Sequence, residues 1–517
     1  MKKFFIIIVF VLIALPYVPT VKFPFLFDDY HLVIKNNRLD SLSDLKHYFT
    51  EAHMWQKGHA SYFRPMMYSS LMLNYAVSKK AAWSYHLFNV IINLIVSLLV
   101  FLIAKNIFEH LGLDNINSCA LFAAALFALH PLHSEVVANV AGRADSMTTF
   151  WILLGIIFSI KAYGGNIFAA FAVGICALAA GLTKETGFLF MPVILLYYFF
   201  FHKNAKKEKY IVWFSAAIGL FLAIVMYIFA MKSSWKTSMI SYLDNFCPFI
   251  PFDQRIKTSV YLIGRSIKLL FIPWPLSSDY SFAQITPQLS FLTPYSAVAI
   301  IVIFCGLLYS WKRPETTSKK ITRFAIFWFL LCYVFSSNLF FPIGTIFGER
   351  LLYLASVGFC VAAAWWIYQI KLRRARIIVS SFVLFTFITI IFIRNSDWKS
   401  PDNFYRAMRR TAPKSSKAHF ASANLEIKNH NYITAGKHLN NALAIFPAFA
   451  EAHGLYSQVL LHEKNYSNAF VEATRAIRLN PNIPSAHDAL AIIYRHRGNE
   501  RKARWHEKIV KELMSPR

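Results

Sequence analysis

Up to about residue 395 the chain is a succession of apolar runs separated by short polar breaks. The first run follows Met1-Lys2-Lys3 and reaches about Thr20. Others lie near 84–104, 118–133, 147–163, 166–182, 186–202, 211–231, 293–311, 323–341, 351–370 and 377–394. Each approaches or reaches the roughly 18–20 residues that cross a bilayer as a helix, so the pattern predicts eleven spans. No small-residue cleavage site stands out after the first run, which is therefore a retained span and not a removed signal peptide.

The basic residues set the orientation. Lys2 and Lys3 place the N-terminus in the cytoplasm by the positive-inside rule. Alternating from there, the cytoplasmic segments hold Lys105, Lys203-Asn204-Ala205-Lys206-Lys207, Lys312-Arg313 with Lys319-Lys320, and Lys371-Leu372-Arg373-Arg374. This agreement requires that 256–273 does not span. Its cations Arg255, Lys257, Arg265 and Lys268 suit a helix lying at the outer interface. A span there would carry the later basic loops outside and export would no longer follow the charge.

From about residue 400 the pattern turns polar with spaced alanines. An offset of 34 aligns His419, His453 and His487; Asn431, Asn465 and Asn499; and Ala435, Ala469 and Ala503. Tyr432/Tyr466, Ala442/Ala476 and Pro447/Pro481 fall in the same register. This is the tetratricopeptide period, with small residues where two helices cross and proline between repeats. About three repeats stack into a short superhelix whose concave face suits a peptide or protein, or serves as a spacer that steadies the membrane part. The histidines sit at a helix-facing position and read as packing residues, not metal ligands. The predicted architecture is all-α: a polytopic membrane helix bundle (1–395) with helical external loops, and a repeat domain (400–517).

Composition agrees with a membrane protein. Mean hydropathy is +0.43, and charged residues make up only 15% of the 517, against about 25% in soluble domains. The net charge of +28 would suggest nucleic acid in a soluble protein. Here it follows from membrane topology and anionic lipid headgroups, and no nucleic-acid partner is expected. Six scattered cysteines without CxxC pairing exclude a disulfide framework or zinc knuckle. Nucleotide, haem and iron–sulfur signatures are absent.

Ionisable groups at membrane depth are costly and mark functional sites. On this topology the unusual ones gather on the outer side: Asp28, Asp29 and His31 after the first span; Arg64; His130, His133, Glu135, Arg143 and Asp145; Lys184 and Glu185; Asp279; and Glu349 and Arg350. Such a pocket suits a lipid phosphate and a polar acceptor. Each member also has a plainer reading. Lys184-Glu185, Glu349-Arg350 and Arg143 with Asp145 suit local ion pairs, His130 and His133 suit helix capping, and Arg64 suits an interfacial anchor. Asp28 and Asp29 suit a span end, although adjacent carboxylates repel and one is thereby fitted to take a proton or hold a cation.

In this order the clusters resemble the transmembrane and tetratricopeptide-repeat-containing protein family. That family is similar to the protein O-mannosyltransferases of the C-type glycosyltransferase fold. The resemblance is carried by FDDYHLVIKNN (Phe27 to Asn37), SYFRP (Ser61 to Pro65), YHLFNVIINL (Tyr85 to Leu94), LFALHPLHSEVVANVAGRAD (Leu126 to Asp145), TKETG (Thr183 to Gly187) and FGERLLYLASVGFC (Phe347 to Cys360). It implies transfer of a sugar, mannose by preference, from a polyprenyl-phosphate carrier to Ser or Thr hydroxyls of exported proteins. It also implies an acidic catalytic pair, which maps onto Asp28 and Asp29. The mannosyltransferases carry Asp-Glu-x-His there, whereas this chain has Asp28-Asp29-Tyr30-His31.

The assignments that follow are Asp28 as base with Asp29 and His31 orienting it, and Arg143, Lys184, Arg350 and Arg64 toward the lipid phosphate. His133, Glu135, Asp145, Glu185, Asp279 and Glu349 complete the pocket. No cofactor is required; a divalent ion at Asp28 and Asp29 is compatible with the pattern. The setting expected is a bacterial inner membrane with the repeats in the periplasm. The alternatives are an oligosaccharide ligase or polymerase using lipid-linked glycans, a non-enzymatic scaffold docking exported proteins on its repeats, and a transporter. A ligase would place its key basic residues in one large late external loop, and a scaffold would make Asp28 and Asp29 dispensable.

Overall fold

The structure is a computed structural model and describes residues 3–54, 61–202, 208–232 and 240–514. Lys2 and the basic run 203–207 lie outside the described residues. The chain divides into two compact units. The first comprises Met1–Ser241, Cys247–Leu276 and Pro287–Ser400; the second comprises Tyr242–Phe246, Ser277–Thr286 and Pro401–Arg517.

In the first unit every one of the eleven apolar runs falls on a helix. Among the described residues, Trp83–His110, Val140–Tyr163, Lys209–Met231, Pro294–Trp311 and Arg373–Trp398 are long and apolar enough to cross a membrane. Ile116–Ala128 and Pro131–Ala138 qualify together but bend by 46°. The bend falls where Pro131 offers no backbone N–H and His130 is held extended before it (ψ 123°). Val9–Lys22, Ile167–Gly181, Glu185–Phe201 and Ser356–Tyr368 are shorter apolar helices, and Thr317–Tyr333 takes up the first part of the run 323–341. Phe168, Phe229, Phe382 and Phe385 are each more than two-thirds exposed. Such a density of bare aromatic side chains fits a lipid-covered surface, and the first unit is that of an integral membrane protein.

The segment predicted to lie at the interface is the helix Phe252–Phe271. It buries Leu262, Ile267 and Leu270 while Phe252 and Phe271 stay exposed, and it is not among the helices long and apolar enough to span. Elsewhere helices approach closely through glycine: a Cβ on Gly219 would sit 2.1 Å from the Gly174 carbonyl oxygen, so Ile167–Gly181 and Glu208–Met231 meet nearly backbone to backbone.

In the second unit Pro401–Thr411 precedes three helical hairpins: Ser416–Lys428 with Tyr432–Ile445, Ala450–His462 with Tyr466–Leu479, and Pro484–His496 with Glu500–Met514. Ala435, Ala469 and Ala503 are fully buried, the small residues on which the paired helices close. The turns between paired helices need a left-handed residue, supplied at one register position by His430 (φ 61°), Lys464 (φ 58°) and Gly498 (φ 72°). The recurring histidines also have one role. His419, His453 and His487 meet the carbonyls of Pro413, Pro447 and Pro481 through Nε2 at 3.3, 2.8 and 2.8 Å.

The boundary is less simple than the polarity change at residue 400 indicates. Leu243 joins the buried cluster of Ala423, Ala435, Leu439 and Phe449, and Phe282 packs against it. Tyr242 stacks on Phe446 with centroids 6.1 Å apart. Two short excursions from the membrane part of the chain thus fill the apolar face of the first hairpin, which has no preceding repeat to cover it.

Candidate active site

Five separated segments of the first unit converge on one charged cluster. The first helix continues as 3-10 turns to Lys22, and Phe27 adopts a positive φ of 50° that turns the chain so that Asp28 and Asp29 diverge. Asp28 lies 3.7 Å from Arg350 (Oδ2 to Nη1) and is about one-fifth exposed. Asp29 is fully buried. Its Oδ1 accepts the Ala141 amide at 3.1 Å and its Oδ2 faces the Leu26 amide at 3.5 Å. Burial pushes its pKa up to about 7; the Ala141 and Val140 amides oppose the shift and the Asp28 charge adds to it. The adjacent acids therefore differ in kind: Asp28 is at the surface of the cluster, while Asp29 clamps the first loop to the turn at Val140–Gly142.

The cations each hold a carboxylate. Arg350 Nη1 donates to Glu135 Oε1 at 3.0 Å, and the Arg350 amide to Glu135 Oε2 at 3.3 Å. Lys184 Nζ donates to Asp145 Oδ1 at 2.5 Å, with both side chains 9% exposed. Arg64 makes a two-point pair with Glu185, at 3.3 Å from Nε and 2.8 Å from Nη2, and packs over the Tyr62 ring at 4.4 Å. These pairs form one field. Arg350 senses Asp28, Asp145 and Arg64, and Lys184 senses Arg64 and Arg350. Burial lowers the Lys184 pKa against the pull of Asp145. In Arg350 burial opposes the charge, but Glu135 and Asp28 outweigh it and hold the pKa above the ordinary value.

The remaining predicted residues lie otherwise. Arg143 is fully buried and donates to Ser70 Oγ, Asn74 Oδ1 and the Tyr85 carbonyl at 3.1, 2.7 and 2.9 Å. Packed over Phe88 at 4.6 Å, it ties helices together and is not presented to a phosphate. His133 is also fully buried, between Phe127 and Tyr353, with Nε2 at 3.0 Å from Ser356 Oγ. His130 meets the Leu270 carbonyl. Glu349 is buried 3.6 Å from Arg394. Asp279 belongs to the second unit, where it accepts from the Ser281 hydroxyl at 3.0 Å. His31 is half-buried, its ring edge-on to Tyr30 at 6.1 Å.

The sequence reading missed Tyr62, Arg394 and Asp397. Arg394 bridges Glu349 and Asp397, the latter at 3.1 Å, and its signal was an arginine closing an apolar run. As to metals, Asp28 faces an arginine and Asp29 faces amides. Among the described residues no three His, Cys, Asp or Glu side chains converge as ligands.

An acid at the cluster's surface beside pre-oriented cations is arranged to accept a proton near a negatively charged group. The chain is 25% identical over 454 residues to the protein O-mannosyl-transferase F38B6.6 of Caenorhabditis elegans, covering 86% of this chain and 63% of that protein. It is 26% identical over 529 residues to the protein O-mannosyl-transferase TMTC3 of Homo sapiens, covering 95% and 53%.

The chain is similar to protein O-mannosyl-transferases. The human TMTC2 enzyme of the same description is 24% identical over 543 residues, covering 87% of this chain and 62% of its own length. The chain thus spans between about half and two-thirds of the curated relatives it matches. No family model matches the sequence. Among solved structures, ArnT from Cupriavidus metallidurans in the apo state superposes with a TM-score of 0.41 at 12% identity, over 98% of this chain and 77% of that one.

Proposed function

We propose that this protein is a membrane glycosyltransferase that moves a sugar, mannose by preference, from a polyprenyl-phosphate carrier to Ser or Thr hydroxyls of exported proteins. The observation that carries the reading is the juxtaposition of the accessible Asp28 carboxylate with Arg350, itself anchored by Glu135. The acceptor hydroxyl attacks the anomeric carbon and gives its proton to Asp28 as the new bond forms. The bond from that carbon to the phosphate oxygen breaks, and the leaving phosphate monoester gains negative charge. Arg350, with Lys184 and Arg64 beside it, stabilises that charge.

The three carboxylate partners give this arrangement its value. Glu135, Asp145 and Glu185 hold the cations in place before substrate arrives, so little reorganisation remains to be done in the transition state. Asp29 acts by position: it fixes the loop that presents Asp28. The prenyl chain would lie among the apolar helices with its head at the cluster. By the positive-inside rule this face is the exported one, the periplasm if the membrane is a bacterial inner membrane. The repeat unit would hold the protein acceptor.

The test is direct. Purified protein is incubated with a polyprenyl-phosphate mannose and a Ser/Thr-containing peptide, and the peptide's mass is measured. A gain of one hexose supports the reading. An unchanged peptide, under conditions where the protein binds the donor, would count against it.

A further inference from the structure

The helices that carry the charged cluster also carry a second feature at their other ends. Asp145 and Tyr163 lie 18 residues apart on the helix Arg143–Tyr163, which at 1.5 Å each is about 27 Å, close to a bilayer's apolar thickness. The segment that begins at Lys184-Glu185 ends at Phe201 and His202. At these far ends lies a cavity of about 850 Å³ lined by His110, Tyr163, Phe199, His202, Lys320 and Arg323 among others. The topology expected from the sequence puts Lys105, Lys312-Arg313, Lys319 and Lys371 on the same side of the membrane as these helix ends.

We propose that this cavity binds the phosphate headgroup of an anionic membrane lipid on the face opposite the charged cluster. Two cations reach it from one side of helix Thr317–Tyr333, Lys320 and Arg323 at i and i+3. Lys320 packs over the Phe201 ring at 5.4 Å. Arg323 donates to the Ser310 carbonyl at 3.1 Å and to Glu315, which also lines the cavity, at 3.0 Å; that glutamate is 64% exposed, and a pair with so solvated an acid is weak. The N-terminal turn of the same helix, at Thr316 and Thr317, also lines the cavity and directs the positive end of its peptide dipoles there.

The opposite wall is an imidazole pair, His110 and His202, with ring centroids 4.5 Å apart. His110 is fixed by the Asn106 carbonyl at 2.9 Å and His202 by Asn106 Oδ1 at 3.3 Å, so the wall is built and not collapsed. Phe199 adjoins the cavity and is 58% exposed. A headgroup seated between the cations and the imidazoles would find an apolar track for its acyl chains along Phe199. A soluble phosphate would gain nothing from that track, and this favours a lipid as the source. The inference does not depend on the proposed glycosyl transfer.

The protein in a neutral detergent is incubated with dioctanoyl phosphatidylglycerol, dioctanoyl phosphatidylcholine or glycerol phosphate, and bound ligand is counted by native mass spectrometry. Wild-type protein should retain one phosphatidylglycerol and neither of the others. The Lys320→Gln/Arg323→Gln variant should lose occupancy by about tenfold or more, as charge-assisted hydrogen bonds are removed. Lys371→Gln/Arg373→Gln/Arg374→Gln, which removes more charge elsewhere on that face, should leave it unchanged. Should the double variant aggregate, Lys320→Gln alone carries the test. Equal retention by the cavity variants, or equal loss in the loop variant, overturns the site. Glycerol phosphate bound as well as the lipid overturns the lipid assignment.

Discussion

Charge is placed in opposite ways in the two units. In the first, Asp29, Glu135, Lys184, Glu349 and Arg394 are all less than a tenth exposed, and each is held by an opposite charge or by backbone amides. In the second, pairs such as Lys508 with Glu512 and Arg495 with Glu500 stand at the surface. Burying an ion costs several kcal/mol even in a good pair, whereas a surface pair contributes about 0–1 kcal/mol. Stability alone does not account for retaining buried ions, so in the first unit their presence argues for chemistry. In the second the charges serve solubility, and the periodic small residues set the fold.

The largest expected effect follows from the accessible member of the buried set. Asp28→Asn should lower the turnover of sugar transfer by about 10²–10⁴-fold, the range of a positioned general base, with donor binding and unfolding temperature near those of the wild type. Transfer at the wild-type rate would reduce the charges of the first unit to a structural network. Lys184→Met comes next. It leaves Asp145 buried without its cation and should destabilise the protein by about 3–5 kcal/mol, measured by denaturant unfolding in detergent. Lys184→Met/Asp145→Leu should recover most of that loss, because the uncompensated carboxylate goes with the lysine.

Such partnerships explain what the sequence did and did not disclose. The helices were legible because a membrane imposes a length and a polarity, and the hairpins because a 34-residue period repeats its own packing. The acids and bases of the site were legible as ionisable groups closing apolar runs. Their pairing was not: Glu135 and Arg350 are 215 residues apart and Arg64 and Glu185 are 121 apart, and nothing in a linear pattern records that distance. Arg143 was assigned to the phosphate because an arginine beside an acid looks available, yet three neutral acceptors enclose it. Asp279 carried a local signal of another kind, since in Ser277-Ser278-Asp279-Tyr280-Ser281 the Ser281 amide and hydroxyl donate to its carboxylate from two residues away. The excursion that carries it was invisible because only the structure shows which hairpin lacks a cover.

Asp29 in the first unit and His506 in the second should also respond to pH with opposite sign. Asp29 has its pKa raised to about 7 from 3.8. Between these values the folded chain keeps a proton that the unfolded chain has lost, so its contribution to stability falls as pH rises from about 4 to 7. His506 is lowered to about 4 from 6.5 by burial, with His487 and Lys502 adding to the shift. There the unfolded chain binds the extra proton, and stability falls as pH drops from about 6.5 to 4. Hydrogen exchange on the whole protein, corrected for intrinsic rates, should show protection near 26–34 decreasing with pH while that of Glu500–Met514 increases. Asp29→Asn should flatten the first slope and His506→Gln the second. Slopes of the same sign would remove this part of the contrast.

The smallest effect tests the other side of the comparison. Lys508 and Glu512 are an i,i+4 pair at 4.0 Å with side chains 77% and 64% exposed, in the last helix of the repeat unit. Lys508→Ala removes an attraction that water already screens, and it frees a long side chain from a single geometry. Alanine also favours the helix at least as well as lysine. The three contributions nearly cancel, so the change in stability should stay within about 0.5 kcal/mol in either direction, and added salt should shrink it further. The comparison with Lys184→Met then rests on burial alone, because both substitutions delete one ammonium group from one carboxylate. If Lys508→Ala proved as costly as Lys184→Met, exposure would not be what separates the two units, and the buried ions of the first would lose their claim to a special role.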